Sequence, residues 1–183
     1  MAARIYTRRG DDGTTGRFLG GRVSKASPVV AACGDVDEAV AVLGVARSGC
    51  PDDGLAELIL RVQRELFVVG ADLATHPERR DRLEAGVSVV TEEMTAALEA
   101  LIDERLAARP LEPVFLVPGA TPTSAHLDLA RTVVRRAERH AVAARGQGEH
   151  VADHVLRYLN RLSDLLFVLA REASGPGPEP RSH

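Results

Sequence analysis

Apolar residues along this chain recur mainly at spacings of three and four, the period of helices that bury one face. The clearest run is Leu55, Leu58, Ile59, Val62, Leu66, Val69 and Leu73, which predicts a helix over about residues 55–74, ended by Pro77. Before it, Ser27-Pro28 reads as an N-cap with proline at the first helical position, opening a helix that Gly49 and Pro51 stop after Ser48. The stretch from His76 to about Val90 is charged and irregular and predicts a connection. Thr91 then caps a third helix carrying Met94, Leu98, Leu101 and Leu106, which Pro110 and Pro113 terminate. Val114 to Val117, flanked by prolines and too short for a helix, predicts an extended apolar crossing. Thr121-Pro122 restarts a helix to about Arg145, and a fifth runs from about Glu149 to Ala173.

This pattern predicts an all-α, single-domain, five-helix up-and-down bundle over residues 27–173. Residues 1–26, with five glycines among Asp, Thr and Arg, predict an ordered Gly-rich loop belonging to the same domain, and residues 174–183 a disordered tail. Composition agrees: 183 residues suffice for one core, aromatic residues make up only 3%, and there is no Trp. A net charge of -3 gives no global pull toward nucleic acid or an anionic membrane. Two cysteines, Cys33 and Cys50, form neither a metal cluster nor a disulfide framework and suit a reducing compartment; Cys33 reads as a buried structural thiol. No apolar run reaches the roughly 20 residues that span a bilayer, so the expectation is a cytoplasmic protein without a membrane segment.

Three places could carry chemistry. On the fourth helix Asp128, Arg131, Arg135, Glu138 and Arg139 share one arc and apolar residues another. A solvated ionic face explains that arc; arginine in place of lysine tips it toward bidentate anion binding. On the fifth, Asn160, Asp164, Phe167 and Arg171 form a stripe on an otherwise apolar helix, to be satisfied by neighbouring helices or by a ligand. The run Thr7-Arg8-Arg9-Gly10-Asp11-Asp12-Gly13-Thr14-Thr15 supplies small residues, hydroxyls and backbone N–H groups suited to phosphates, without matching a P-loop or a dinucleotide fingerprint. Lys25 could add a point charge. His150 and His154 stand four apart without a third ligand, His126 and His140 read as packing residues, and no metal site is expected.

Four ordered blocks resemble the PduO-type ATP:cob(I)alamin adenosyltransferases: IYTRRGDDGTT at 5–15, RVSK at 22–25 with GDVDEA at 34–39, FLVPGATP at 115–122 continuing into ARTVVRRAER at 130–139, and YLNRLSDLLFVLAR at 158–171. Any one block is common; their order and spacing together are specific. The resemblance implies a homotrimer with ATP at each subunit interface and the corrinoid above it. Cobalt of cob(I)alamin would attack C5′ of ATP and expel triphosphate, accompanied by Mg²⁺, so that no protein nucleophile is needed. Carried over by position, Thr7, Gly10, Asp11, Gly13, Thr14 and Thr15 would form the ATP loop. Lys25, Arg131 and Arg135 would supply cations, and Glu138 and Asn160 would complete the nucleotide site. Asp37 would pair with Arg131 across the interface, and Phe115 and Phe167 would be the apolar groups near the corrinoid. A corrinoid reductase and an adenosylcobalamin-dependent enzyme are the partners that such chemistry implies. The chain departs from the pattern at Arg9, where Thr is usual, at Val40, where Asn is common, and at Ala120, the second Gly of a Pro-Gly-Gly turn. These departures suggest the alternative of a relative that binds ATP or adenosylcobalamin without turnover, as carrier or sensor. A bundle whose arginine face is only solvated is the third reading.

Overall fold

The computed structural model describes residues 5–175, 177 and 179–182. Five helices dominate: α1 (Pro28–Ser48), α2 (Asp53–Ala74), α3 (Glu92–Ala108), α4 (Pro122–Gly146) and α5 (Asp153–Ala173). Their starts follow local chemistry. The Asp52 carboxylate accepts from Leu55 N at 2.7 Å, capping α2, and Thr121 and Ser124 each accept from the other's backbone N–H at 3.0 Å, a reciprocal cap on α4. The fifth helix begins four residues later than the sequence predicts. Gly148 takes φ +88°, Glu149 turns out to meet Arg17, and Val151 tucks inward with its carbonyl accepting from Arg145 Nη2 at 2.6 Å. His150 therefore precedes the helix, and the four-residue spacing from His154 does not place the two on one helical face.

α4 lies at the centre, packed against α1 on one side and α5 on the other; α2 covers α1, α3 covers α5, and α2 touches α5. The close pairing of α1 and α4 follows from small residues at heptad spacing. Ala32, Ala39 and Ala46 on α1 and Ala130, Ala137 and Ala144 on α4 are all buried, so neither helix holds the other away. Leucines fill the remaining space, Leu43, Leu66, Leu98, Leu127, Leu162 and Leu166 among them, each burial stabilising by about 1.5–3 kcal/mol.

The connection from α2 to α3 is more ordered than its charge suggests. A 3₁₀ turn spans Pro77–Arg82, and Asp72, buried near the end of α2, organises it by accepting from Arg80 Nη2 at 2.7 Å and from Val90 N at 3.0 Å.

Two features depart from expectation. The N-terminal segment is not only loop: β1 (Thr14–Gly16) pairs antiparallel with β2 (Arg22–Ser24), Thr15 opposite Val23. Leu19, Gly20 and Gly21, all at positive φ, make the reversal, and Phe18 N donates to Ala74 O at 3.0 Å, clipping the hairpin to the end of α2. The C-terminal tail, predicted disordered, is ordered over 179–182, which runs beside the apolar crossing. Val117 N donates to Pro180 O at 2.8 Å and Ser182 N to Phe115 O at 3.0 Å. The crossing has unpaired backbone groups that an extended segment can satisfy, which the composition of the tail does not reveal.

Candidate functional site

Most of the predicted site residues gather in two places in the chain. The first is the N-terminal loop with its hairpin. Arg8 takes φ +60° and Gly13 φ +82°, folding the loop back so that Gly13 N donates to Gly10 O and Lys25 N to Gly13 O. The ammonium of Lys25 donates to Gly10 O at 2.8 Å, and a side chain at Gly10 would press on that nitrogen and on Thr14 O, both 3.2 Å from its Cβ. Asp12 accepts from Thr14 N at 2.9 Å and Thr14 Oγ1 at 2.8 Å; these bonds, backbone first, hold its carboxyl below the usual range, with Arg22 adding to the effect. Arg22 Nε also donates to Thr14 Oγ1 at 2.8 Å. Thr7 and Asp11 are exposed at the rim, Thr7 Oγ1 accepting from Arg9 N at 3.4 Å. Beneath the hairpin lies a recess of about 300 Å³ lined by Thr15, Val23, Val29, Val30, Cys33 and Asp37. Asp37 is exposed and makes no ion pair among the described residues.

The second surface is a cleft of about 400 Å³ between α3, α4 and α5, into which Arg131, Arg135, Phe167, Arg161, Asp164 and Ile102 project. Arg131 is fixed from below: its Nε donates to buried Asp128 at 3.3 Å and its guanidinium stands 5.9 Å from the centroid of Phe167. Asp128 is itself held by Arg171, whose guanidinium lies 5.2 Å from the same ring. The Arg135 guanidinium has no partner among the described residues; its backbone carbonyl accepts from Arg139. Arg161 bridges Glu99 on α3 and Asp164 at the wall of the cleft. Asn160 donates to Glu138 Oε1 at 3.3 Å, tying α5 to α4 outside this lining. Phe115, on the crossing, is 80% exposed. The recess and the cleft share no lining residue, and among the described residues Asp37 beside the recess and the Arg135 guanidinium in the cleft are both without an ion-pair partner.

The polar stripe of α5 divides between the two explanations that its spacing allowed. Arg171, 2% exposed, pairs through its two terminal nitrogens with Asp128 and Glu179 while its Nε has no partner among the described residues, whereas Phe167 and Asp164 face the cleft. One cluster escapes the sequence reading. Asp35 on α1 accepts from Arg136 Nε at 2.9 Å and contacts His140 Nδ1 at 2.6 Å, and Glu38 also pairs with Arg136. His140 is thus a polar bridge between α1 and α4 and not a packing residue. The available signal was Asp35 amid the apolar face of α1. Of the three departures from the family pattern, Ala120 carries no backbone strain, because in Pro118-Gly119-Ala120 positive φ falls only on Gly119. Val40 is half-buried with its carbonyl accepting from Gln63 Nε2 at 2.9 Å, and Arg9 is exposed with its carbonyl accepting from Arg22.

A mostly helical bundle, with a Gly-rich N-terminal loop and hairpin and a cleft lined by arginines and an aromatic ring, is the frame in which the predicted residues stand. The chain belongs to the cobalamin adenosyltransferase family, which residues 5–173 match. It is similar to the corrinoid adenosyltransferase of Mycobacterium tuberculosis, at 43% identity over 183 residues covering 95% of this chain and 90% of that one. The corrinoid adenosyltransferase of Bacillus subtilis is 43% identical over 173 residues, covering 92% and 85%. Among solved structures, a variant PduO-type ATP:corrinoid adenosyltransferase from Lactobacillus reuteri complexed with cobalamin and ATP superposes with a TM-score of 0.85 at 34% identity, covering 97% of this chain and 95% of that one.

Proposed function

We propose that this chain transfers the 5′-deoxyadenosyl group of ATP to the cobalt of cob(I)alamin, releasing triphosphate. The observation that carries this reading is the cleft in which Arg131 is locked by Asp128 while Arg135 keeps a free guanidinium, on a chain whose relatives are named for this activity. The cobalt electron pair forms the Co–C5′ bond as the C5′–O bond breaks, and the negative charge leaves on the triphosphate. The role of the protein is therefore to place C5′ over cobalt and to meet the charge of the leaving group with preorganised cations. Arg131 and Arg135 serve that role, with Lys25 reaching the same phosphates from the loop once ATP displaces its bond to Gly10 O. Thr7, Gly10, Asp11, Gly13, Thr14 and Thr15 wrap the nucleotide, and Glu138 and Asn160 close its far side. Phe115 and Phe167 cover the corrinoid and exclude water from cobalt.

We place the active site between chains of a homotrimer, the loop and Asp37 of one meeting the Arg131 and Arg135 of the next, a reading supported by the absence of an ion-pair partner for Asp37 and for Arg135 among the described residues. Among the described residues no group of three or more His, Cys, Asp or Glu side chains is placed to hold a metal ion. Mg²⁺ accordingly enters with the triphosphate and neutralises part of its charge there. Among the described residues no helix is long and apolar enough to cross a membrane, and a cytoplasmic setting, where a reductase supplies cob(I)alamin and an adenosylcobalamin-dependent enzyme takes the product, fits the reaction.

Purified protein given ATP, Mg²⁺ and chemically reduced cobalamin under strict anaerobiosis is expected to form adenosylcobalamin, followed by its visible spectrum. Binding of ATP and cobalamin without product would select the carrier reading instead.

A further inference from the structure

The buried carboxylate of Glu179 has a role that neither the family motifs nor the cleft explains. Glu179 belongs to a tail of Gly, Pro and polar residues, yet its side chain is only 5% exposed. It accepts from Arg171 Nη1 at 2.9 Å and from Ser174 Oγ at 2.6 Å. Arg171, 3% exposed at its side chain, in turn pairs with Asp128 and lies against the Phe167 ring. A carboxylate this far from water is retained only where partners compensate its desolvation, and here Arg171 of α5 supplies the charge and Ser174, just past the end of that helix, a hydrogen bond. The residues that follow then make the two backbone bonds to the crossing, Val117 N to Pro180 O and Ser182 N to Phe115 O, so the peptide group of Phe115 is held by the tail. Phe115 itself has 80% of its surface exposed and little packing of its own to fix it.

We propose that Glu179 is a positioning residue: by anchoring the C-terminal segment on Arg171 it fixes the crossing that presents Phe115, and through Arg171 it couples that crossing to Phe167. The same arginine thereby ties together the tail, Asp128 beneath Arg131, and the aromatic floor of the cleft. The kinetic half of this assignment rests on the proposed placement of Phe115 at the corrinoid; the structural half does not. The pair of Arg181 with Glu112, at 59% and 68% side-chain exposure, contributes little to the anchor because water screens it.

The test uses the full-length chain with Glu179→Ala, Glu179→Gln, Arg181→Ala and Phe115→Ala. Amide exchange is first followed without nucleotide or corrinoid. Glu179→Ala is expected to speed exchange at Val117 about tenfold or more, Glu179→Gln less because it keeps the bond to Ser174, and Arg181→Ala hardly at all. In steady state Glu179→Ala should raise the KM for corrinoid, in the direction of Phe115→Ala, and change the KM for ATP less, since Arg171 keeps its pair with Asp128 beneath Arg131. Unchanged Val117 exchange in Glu179→Ala overturns the anchor whatever the kinetics. Faster exchange with an unchanged corrinoid KM overturns the positioning role if Phe115→Ala does raise that KM. If Phe115→Ala leaves corrinoid kinetics untouched, the placement of Phe115 is what fails, and the anchor stands on the exchange data.

Discussion

Arg131 and Arg135 lie one turn apart on α4, yet their surroundings differ. Arg131 is clamped by a buried carboxylate and an aromatic ring, whereas Arg135 has no partner among the described residues. A free, positioned guanidinium is suited to charge that appears only as triphosphate departs, so Arg135→Ala should lower kcat by about 10²–10³ in steady-state assays, with a smaller effect on KM for corrinoid. Lysine at that position should restore only part of the rate, since it cannot grip two phosphate oxygens in a plane. Cys33 illustrates the opposite case, a reactive group made inert. Burial pushes its thiol up to about 11, against a weaker opposing pull from Arg17. A group raised on folding stabilises the fold below its unfolded value, here 9.0, and that contribution disappears as pH climbs toward 11. Chemical denaturation should therefore show stability falling between about pH 9 and 11, with Cys33→Ala flattening the fall. Alkylation at pH 8 should be much slower at Cys33 in the native protein than in the unfolded chain, since the thiol lines the recess but stays protonated there.

Elements were legible in the sequence where a local rule decided them. The caps at Thr91 and Thr121 and the stops at Gly49-Pro51 and Pro110 are chemistry within a few residues, and the helices begin and end there. What stayed hidden depends on distant partners. The hairpin consists of three-residue strands in a glycine-rich stretch, and its attachment to Ala74 joins segments more than fifty residues apart. Likewise, the charged stretch after α2 carries no periodicity, because one buried carboxylate, Asp72, holds it through Arg80 and Val90 N. Asp72→Ala leaves Arg80 and a buried N–H without their acceptor, so the expected loss is about 3–5 kcal/mol, measured by urea unfolding at pH 7. A loss under about 1 kcal/mol would mean the connection is held by something else. The α4 arc was visible as a pattern but ambiguous in meaning: which arginine is clamped and which is free depends on Asp128 and on Phe167 from another helix.

At the scale of the molecule the family motifs identify the ingredients of the site, and the fold distributes them. Asp37 lines the recess beneath the hairpin, whereas Arg131, Arg135 and Phe167 line the cleft between α3, α4 and α5. The proposed homotrimer is a head-to-tail ring, in which each interface joins unlike surfaces. Sequence could name Asp37 and Arg131 as partners only by resemblance, since nothing in their spacing says that they belong to different subunits. Subunit complementation tests this assembly directly. Asp37→Ala and Arg131→Ala proteins, each of low activity alone, are mixed, dissociated and reassociated. Interfaces that pair the intact Arg131 of one variant with the intact Asp37 of the other should then recover adenosylcobalamin formation, to about a quarter of the wild-type rate for random mixing of equal amounts. A mixture no more active than its two components would contradict the intersubunit site, because residues that must act within one chain cannot rescue each other.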